Sequence, residues 1–235
     1  MHVLGLIPAR GGSKSIPRKN IVPLAGRPLL AYTCQAALES RSISRVVIST
    51  DDEEIAQVAR ECGVEAPFLR PAELASDTAQ SIDVALHAVD FLQESENWST
   101  DVLVLLQPTS PLRTARHVDE AMAARKEAGA ETVVSVVDVP HRYSPYSIME
   151  LSEGRLSPFW TDPLPFDRFR RQDVPVLYAR NGPAVLATRS SVLREKHSFY
   201  GDLVVPYIME EAESLDIDGP LDLELAEFLL ARRGG

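Results

Sequence analysis

Only two of the 235 residues are cysteines, Cys34 and Cys62. They cannot build a disulfide framework, and no metal-ligand spacing involves them. Both fall in segments with helical patterning and are expected as reduced core thiols of a cytosolic protein. No stretch approaches the ~18 apolar residues of a membrane span. The opening MHVLGLIPARGG lacks the basic n-region and long apolar core of a secretory signal, so a cytoplasmic setting is expected. Repeats and low-complexity tracts are lacking too. So are acids near the start: the first Asp or Glu is Glu39.

That last absence has a counterpart. Residues 1–38 carry Arg10, Lys14, Arg18, Lys19 and Arg27, while the remainder holds 19 basic residues against 34 acidic ones. A basic island on an acidic body suits a small anion, and the net charge of −10 disfavours duplex nucleic acid as a partner. Apolar residues make up 45% and charged residues 25%, ordinary values for a globular chain. A chain this long buries about 70% of its unfolded surface, enough for one domain over 1–235 without staples.

Hydrophobic patterning supplies the class. HVLGLIPA (2–9), RVVIST (45–50), DVLVLLQ (101–107) and TVVSVVDV (132–139) are buried strands, and a short strand is expected near Pro67–Leu69. Between them fall amphipathic helices over 28–40, 52–62, 81–95 and 115–128, with a closing helix over 219–232. Alternating β and α units with strands apolar throughout predict a three-layer α/β fold, its mostly parallel sheet of about seven strands covered on both faces. Residues 140–182 break the rhythm with prolines and aromatics. YSIMELSEGRLSPFW reads as two short strands joined at Glu153-Gly154, so this stretch is expected to be an inserted flap.

Ligands of such sheets bind at the carboxyl ends of the strands, and three unusual loops sit there. RGGSKSIPRKN (10–20) fails the Walker A pattern, because Ser13 precedes the lysine where glycine is required. It fails G-x-G-x-x-G as well. The next helix begins only near Pro28, so the loop itself must wrap an anion, with the Gly11, Gly12 and Ser13 amides and the Arg and Lys side chains. Alone it reads equally as a solvated turn. QPTSPLR (107–113) presents Gln107, Thr109, Ser110 and Arg113 between Pro108 and Pro111, a preorganised polar loop or a plain connector. In SLDIDGPLD (214–222), Asp216 and Asp218 are two apart, so both carboxylates face one side. Such a pair suits Mg²⁺, and Asp218-Gly219-Pro220 also resembles a helix start.

Taken together, IPARGGSKSIPRKN, STDDEEIA, FLRPAELASD, QPTSPLR, RQDVPVLYARNG and SLDIDGPLDLELAE resemble the acylneuraminate cytidylyltransferase family. These enzymes make CMP-sialic acid and related CMP-nonulosonates, and the CMP-Kdo synthetases are cousins. The resemblance runs along nearly the whole chain in order. It implies a nucleotidyltransferase fold, CTP and an acidic 2-keto sugar as substrates, pyrophosphate as product, Mg²⁺ as cofactor, and a homodimer whose 140–182 flap reaches the partner. It implies that Arg10, Ser13, Lys14 and Lys19 hold the triphosphate, and that Asn20 contacts the nucleoside. Ala9, Gly11, Gly12, Pro108 and Thr109 would line the nucleotide site, with Arg70 and Ser81 on its cytosine side. Gln107, Ser110, Arg113, Arg171, Tyr178 and Asn181 would meet the sugar, and Asp216 and Asp218 the metal. Catalysis would rest on Arg10, Lys14, Lys19, Gln107, Asp216 and Asp218.

Three departures stand out. Ser15 occupies a position where the family has glycine, so a shifted loop backbone is expected there. HRYSPY (141–146) lacks the lysine common in sialic acid enzymes, and Ala184 replaces a larger side chain. In-line attack on the α-phosphorus needs positioning and charge neutralisation more than covalent help. Metal-assisted deprotonation of the anomeric hydroxyl, with Asp216 as proton acceptor, is the expected chemistry. Two alternatives remain: a GTP- or UTP-using relative acting on a sugar phosphate, and a non-catalytic sugar-nucleotide sensor.

Overall fold

The computed structural model describes residues 1–160 and 175–233. The elements follow in chain order. β1 (Val3–Pro8) leads through the loop to the short β2 (Pro23–Leu24) and β3 (Arg27–Pro28), then α1 (Leu29–Glu39), β4 (Arg45–Ser49) and α2 (Glu53–Glu61). α3 (Ser81–Glu96), β5 (Val102–Leu105), α4 (Ala115–Glu127) and β6 (Thr132–Asp138) continue the alternation. The hairpin β7 (Met149–Ser152) and β8 (Arg155–Pro158) precedes β9 (Tyr178–Arg180) and β10 (Leu186–Arg189). α5 (Ser190–Lys196), β11 (Val204–Ile208) and α6 (Pro220–Arg233) follow.

The seven-stranded sheet runs β11-β6-β10-β5-β1-β4, with β9 paired to β6. β4, β1 and β5 are mutually parallel, as are β6 and β11, while β9 and β10 run antiparallel. Strand alternation sorts the core into two layers. Val3, Ile7, Val46, Ile48, Val102 and Val104 face α1, α2 and α4. Leu4, Leu6, Val47, Leu103 and Leu105 face α3 and α5. The three-layer expectation stands, and each expected helix lies within two residues of its place. Among the described residues no helix is long and apolar enough to cross a membrane.

Three expectations need correction. Pro67–Leu69 is not a strand: the backbone pairs with β4 at a bridge between Glu65 and Val47 and meets its end again only at Arg70, and Pro67 has no N–H to continue the pairing. Tyr178 and Arg180 do not belong to a flap, because β9 pairs with the carboxyl-terminal half of β6 (Asp138 with Tyr178, Val136 with Arg180). β10 then pairs with the other half (Val134 with Leu186, Thr132 with Thr188). The two are one antiparallel strand interrupted at 181–185. Cys62, finally, is half-buried, whereas Cys34 is fully buried beside it.

Candidate active site

The carboxyl ends of β1 and β5 open into a cavity of about 460 Å³. One wall is the loop after β1, contributing Arg10, Gly12, Ser13, Lys14, Lys19 and Asn20. The opposite wall comes from Gln107, Pro108 and Thr109 after β5, and Arg70, Ser81 and Val84 complete it. Each wall has its own support. Asn20 is buried and donates to the Arg10 carbonyl at 2.9 Å, pinning the loop across its width. Arg70, buried at the end of β4, donates to the Ser49 hydroxyl at 3.0 Å and to the Ser49 carbonyl. Burial pulls its guanidinium down to about 10, a value that leaves it charged at neutral pH.

The basic island is not uniformly free. Arg18 makes a bidentate pair with Asp52 (3.0 and 3.1 Å) and a contact to Glu54 at 2.7 Å. Asp52 in turn caps α2 by accepting from the Ile55 amide at 3.1 Å. The Arg18 hydrogen bond holds the Asp52 carboxyl below its ordinary value. Gly11 is required at this latch, because a Cβ there would lie 2.8 Å from an Asp52 oxygen. Its amide donates to Asp51 at 2.9 Å, so it is already engaged and not offered to a ligand. Arg27 donates to Gln35 at 2.9 Å and lies over the Tyr32 ring. Arg10, Lys14 and Lys19 are the cations left facing the cavity.

The acidic segment joins the basic loop directly. Lys19 Nζ donates to the Ile217 carbonyl at 2.8 Å and lies 3.8 Å from an Asp218 oxygen. Ile217 is fully buried and its amide donates to the Thr109 carbonyl at 2.8 Å. Asp216 and Asp218 flank this buried residue in a segment that is not a strand, Asp216 half-buried and Asp218 exposed. Burial raises the Asp216 carboxyl despite a hydrogen bond from Thr109. Its Oδ1 has no hydrogen-bond partner among the described residues, and neither has Ser110 Oγ. Both orphaned atoms face Gly182, where a Cβ would sit 3.2 Å from Ser110 Oγ and 3.4 Å from Asp216 Oδ1. Gly182 has φ +112° and lies in the interruption between β9 and β10.

A cytidylyltransferase family model matches residues 4–229. The chain belongs to that family. It is 36% identical over 224 residues to the N-acylneuraminate cytidylyltransferase of Escherichia coli, an alignment covering 95% of this chain and 51% of that one. It is 36% identical over 237 residues to the CMP-N,N'-diacetyllegionaminic acid synthase of Legionella pneumophila subsp. pneumophila, covering 98% and 97%. The chain thus spans about half the length of the first relative and nearly all of the second. Among solved structures, a CMP:2-keto-3-deoxy-manno-octonic acid synthetase complexed with CTP has the same fold, with a TM-score of 0.71 at 17% identity over 99% of this chain and 100% of that one.

Set on this cytidylyltransferase scaffold, the expected site residues divide into groups. Arg10, Gly12, Ser13, Lys14, Lys19, Asn20, Arg70, Ser81, Gln107, Pro108 and Thr109 share the cavity. Ala9 is buried beneath it. Asp216, Asp218, Ser110 and Asn181 form the adjoining edge. Asn181 is buried and bound to Ser135 at 2.6 Å and to Ser214 at 3.0 Å. Tyr178 is half exposed on β9, and Arg171 lies outside the described residues.

Arg113 departs from its expected place at the sugar. It is buried and donates to the carbonyls of Gln107 at 3.0 Å and Ala184 at 2.8 Å, and to Thr33. It braces the two loops from behind. Ser15 is not a left-handed position, whereas Arg18 is, with φ 53°. The left-handed freedom of glycine is thus not used at Ser15. The sequence reading missed Asp77, which lies inside FLRPAELASD and pairs with both Arg10 and Lys14. An acid in a polar loop just before a helix was the available signal.

Proposed function

We propose that this chain transfers CMP from CTP to the anomeric hydroxyl of a 2-keto sugar acid of the nonulosonate class, releasing pyrophosphate. The carrying observation is the junction at Lys19, where the cationic loop and the Asp216/Asp218 segment meet at the mouth of one cavity. Arg10, Lys14 and Lys19 neutralise the triphosphate and the leaving pyrophosphate. Asn20 and the 107–109 loop fix the nucleoside, and Arg70 and Ser81 bound its base. Gln107 orients the sugar on the far side of the α-phosphate, and Asn181, whose amide is held by Ser135, Ser214 and Met209, fixes the backbone beside it. Such positioning is what a largely electrostatic transfer needs.

The donor set fits a hard divalent ion. Asp216 offers a buried oxygen with no hydrogen-bond partner, Asp218 an exposed carboxylate, and Mg²⁺ is commonly held by one or two carboxylates with waters and phosphate oxygens. Among the described residues no group of three His, Cys, Asp or Glu could hold a metal ion by itself. Bound there, Mg²⁺ would supply charge neutralisation at the α-phosphate and acidify the attacking hydroxyl. Asp216 is the side chain that would accept the hydroxyl proton.

The β7–β8 hairpin projects Leu151 and Leu156, 69% and 65% exposed, and we assign it to a homodimer interface. The proposed setting is the cytoplasm. A pyrophosphate-release assay with CTP, Mg²⁺ and a panel of 2-keto sugar acids tests the reading. Release with at least one acid is expected, and none with GTP or UTP. Silence with every acid overturns the assignment.

A further inference from the structure

Four cations line the cavity, Arg10, Lys14, Lys19 and Arg70, and two of them, Arg10 and Lys14, are paired with one and the same side chain. Arg10 Nη1 lies 3.0 Å from Oδ1 of Asp77, and Lys14 Nζ lies 2.6 Å from Oδ2. Each carboxylate oxygen therefore serves a different cation, as two oxygens of a phosphate chain would. Arg10 also donates to the Ser76 carbonyl at 3.1 Å. Ser76 and Asp77 sit between the 3-10 turn Ala72–Ala75 and α3, across the cavity from the loop they grip.

The contrast with Arg18 is informative. Its partner Asp52 is the less exposed of the two and also caps α2, so that pair is tied to a secondary-structure element. Asp77 caps no helix, and among the described residues its carboxylate pairs with the two cations alone. Its side chain is 52% exposed and that of Lys14 is 82% exposed. A solvated pair of this kind adds little stability and exchanges readily.

We propose that Asp77 is the resident counter-ion of the phosphate subsite. It keeps Arg10 and Lys14 aimed into the empty cavity, yields both to the incoming triphosphate, and recaptures them as pyrophosphate departs. The inference rests on the nucleotidyl-transfer reading. Neither cation can bind Asp77 and a phosphate oxygen equally well. The displaced carboxylate stays a few ångströms from a polyanion and repels it. Asp77 therefore weakens binding of triphosphate and pyrophosphate alike, and favours product release.

Calorimetric titration of inorganic pyrophosphate with Mg²⁺ into the wild-type chain and Asp77→Asn tests this. The variant keeps the shape and removes the charge. It should bind pyrophosphate about three- to tenfold more tightly, since one nearby like charge is gone. The gain should shrink at high salt, and product inhibition by pyrophosphate should strengthen in step. A carboxylate that merely tied down its loop would give the opposite sign, with weaker binding and earlier melting. Equal or weaker binding overturns the counter-ion role. If wild-type chain binds pyrophosphate but releases none from CTP with any acid sugar, the transfer reading fails separately. If it binds neither CTP nor pyrophosphate, both fall.

Discussion

Lys19 donates to the carbonyl of Ile217 across 198 positions of sequence, at 2.8 Å. This bond sets the distance between the cationic loop and the acidic segment, and the ammonium lies beside the Asp218 carboxylate at 3.8 Å. Replacement by methionine keeps the stem and removes the charge. Hydrogen bonds from a charged group contribute about 1.5–3 kcal/mol. Lys19→Met should therefore raise the KM for CTP by roughly ten- to a hundredfold, at about 1.4 kcal/mol per decade. Steady-state kinetics against CTP and Mg²⁺ check this. An unchanged KM would leave the lysine a purely structural tie.

Arg113 separates stability from substrate contact. It is a buried cation held by two carbonyls and a hydroxyl, with burial depressing its guanidinium. Arg113→Met removes the charge but strands the carbonyls of Gln107 and Ala184. A loss of about 3 kcal/mol is expected, within the range for breaking buried charged networks. Arg113→Lys should not rescue it, because one ammonium cannot span the forked acceptors. Denaturant unfolding measures the loss. Full stability with a raised KM for the sugar would restore the direct contact its position in the sequence suggested.

Gly182 tests the orphaned oxygens. Alanine there must tolerate φ +112° and crowd both Ser110 and Asp216. Strain of about 1–3 kcal/mol is expected, along with displacement of the Asp216 carboxylate. Gly182→Ala should lose turnover and require more Mg²⁺ for half-activity. Wild-type Mg²⁺ dependence in the variant would detach Asp216 from the metal.

His117 gives a pH signature. Its Nδ1 accepts the Thr114 amide at 3.1 Å while its Nε2 meets Glu213 at 2.9 Å. Protonating Nδ1 would break the cap of α4. Burial accordingly lowers the His117 value despite the Glu213 carboxylate. A histidine depressed in the fold takes up its proton more readily when unfolded. Its stabilisation is complete above the unfolded value of about 6.5 and is lost as pH falls through the lower folded value. Melting temperature should decline below about pH 6.5, and His117→Gln should flatten that part of the profile. Parallel profiles for the two proteins would remove His117 from the effect.

Much of this was legible because the strands are buried on both faces. Continuous apolar runs such as VLGLIP and VLVL mark parallel strands directly, and the polar loops that follow them mark the site. Arg10, Lys14, Lys19 and Gln107 could be found this way. What escaped was pairing at a distance. Nothing local to Arg18 says that Asp52 latches it, and nothing local to Arg113 says that it faces inward to Thr33 and Ala184. Tyr178–Arg180 is too short to announce itself, and it becomes a strand only because β6 extends beyond β10 and offers free edge groups.

The interruption of that antiparallel strand matters for how such chains can diversify. β10 enters the sheet from the cavity edge, so everything between β6 and β9 is attached at two adjacent points of one strand pair. Chain can be inserted, shortened or exchanged there without moving any core register. The nucleotide side has no such freedom, since its loops are fixed by Asn20 and Arg70. On the proposed reading, the acceptor half of the cavity is the replaceable half, and a change of acid sugar need not disturb the triphosphate cradle.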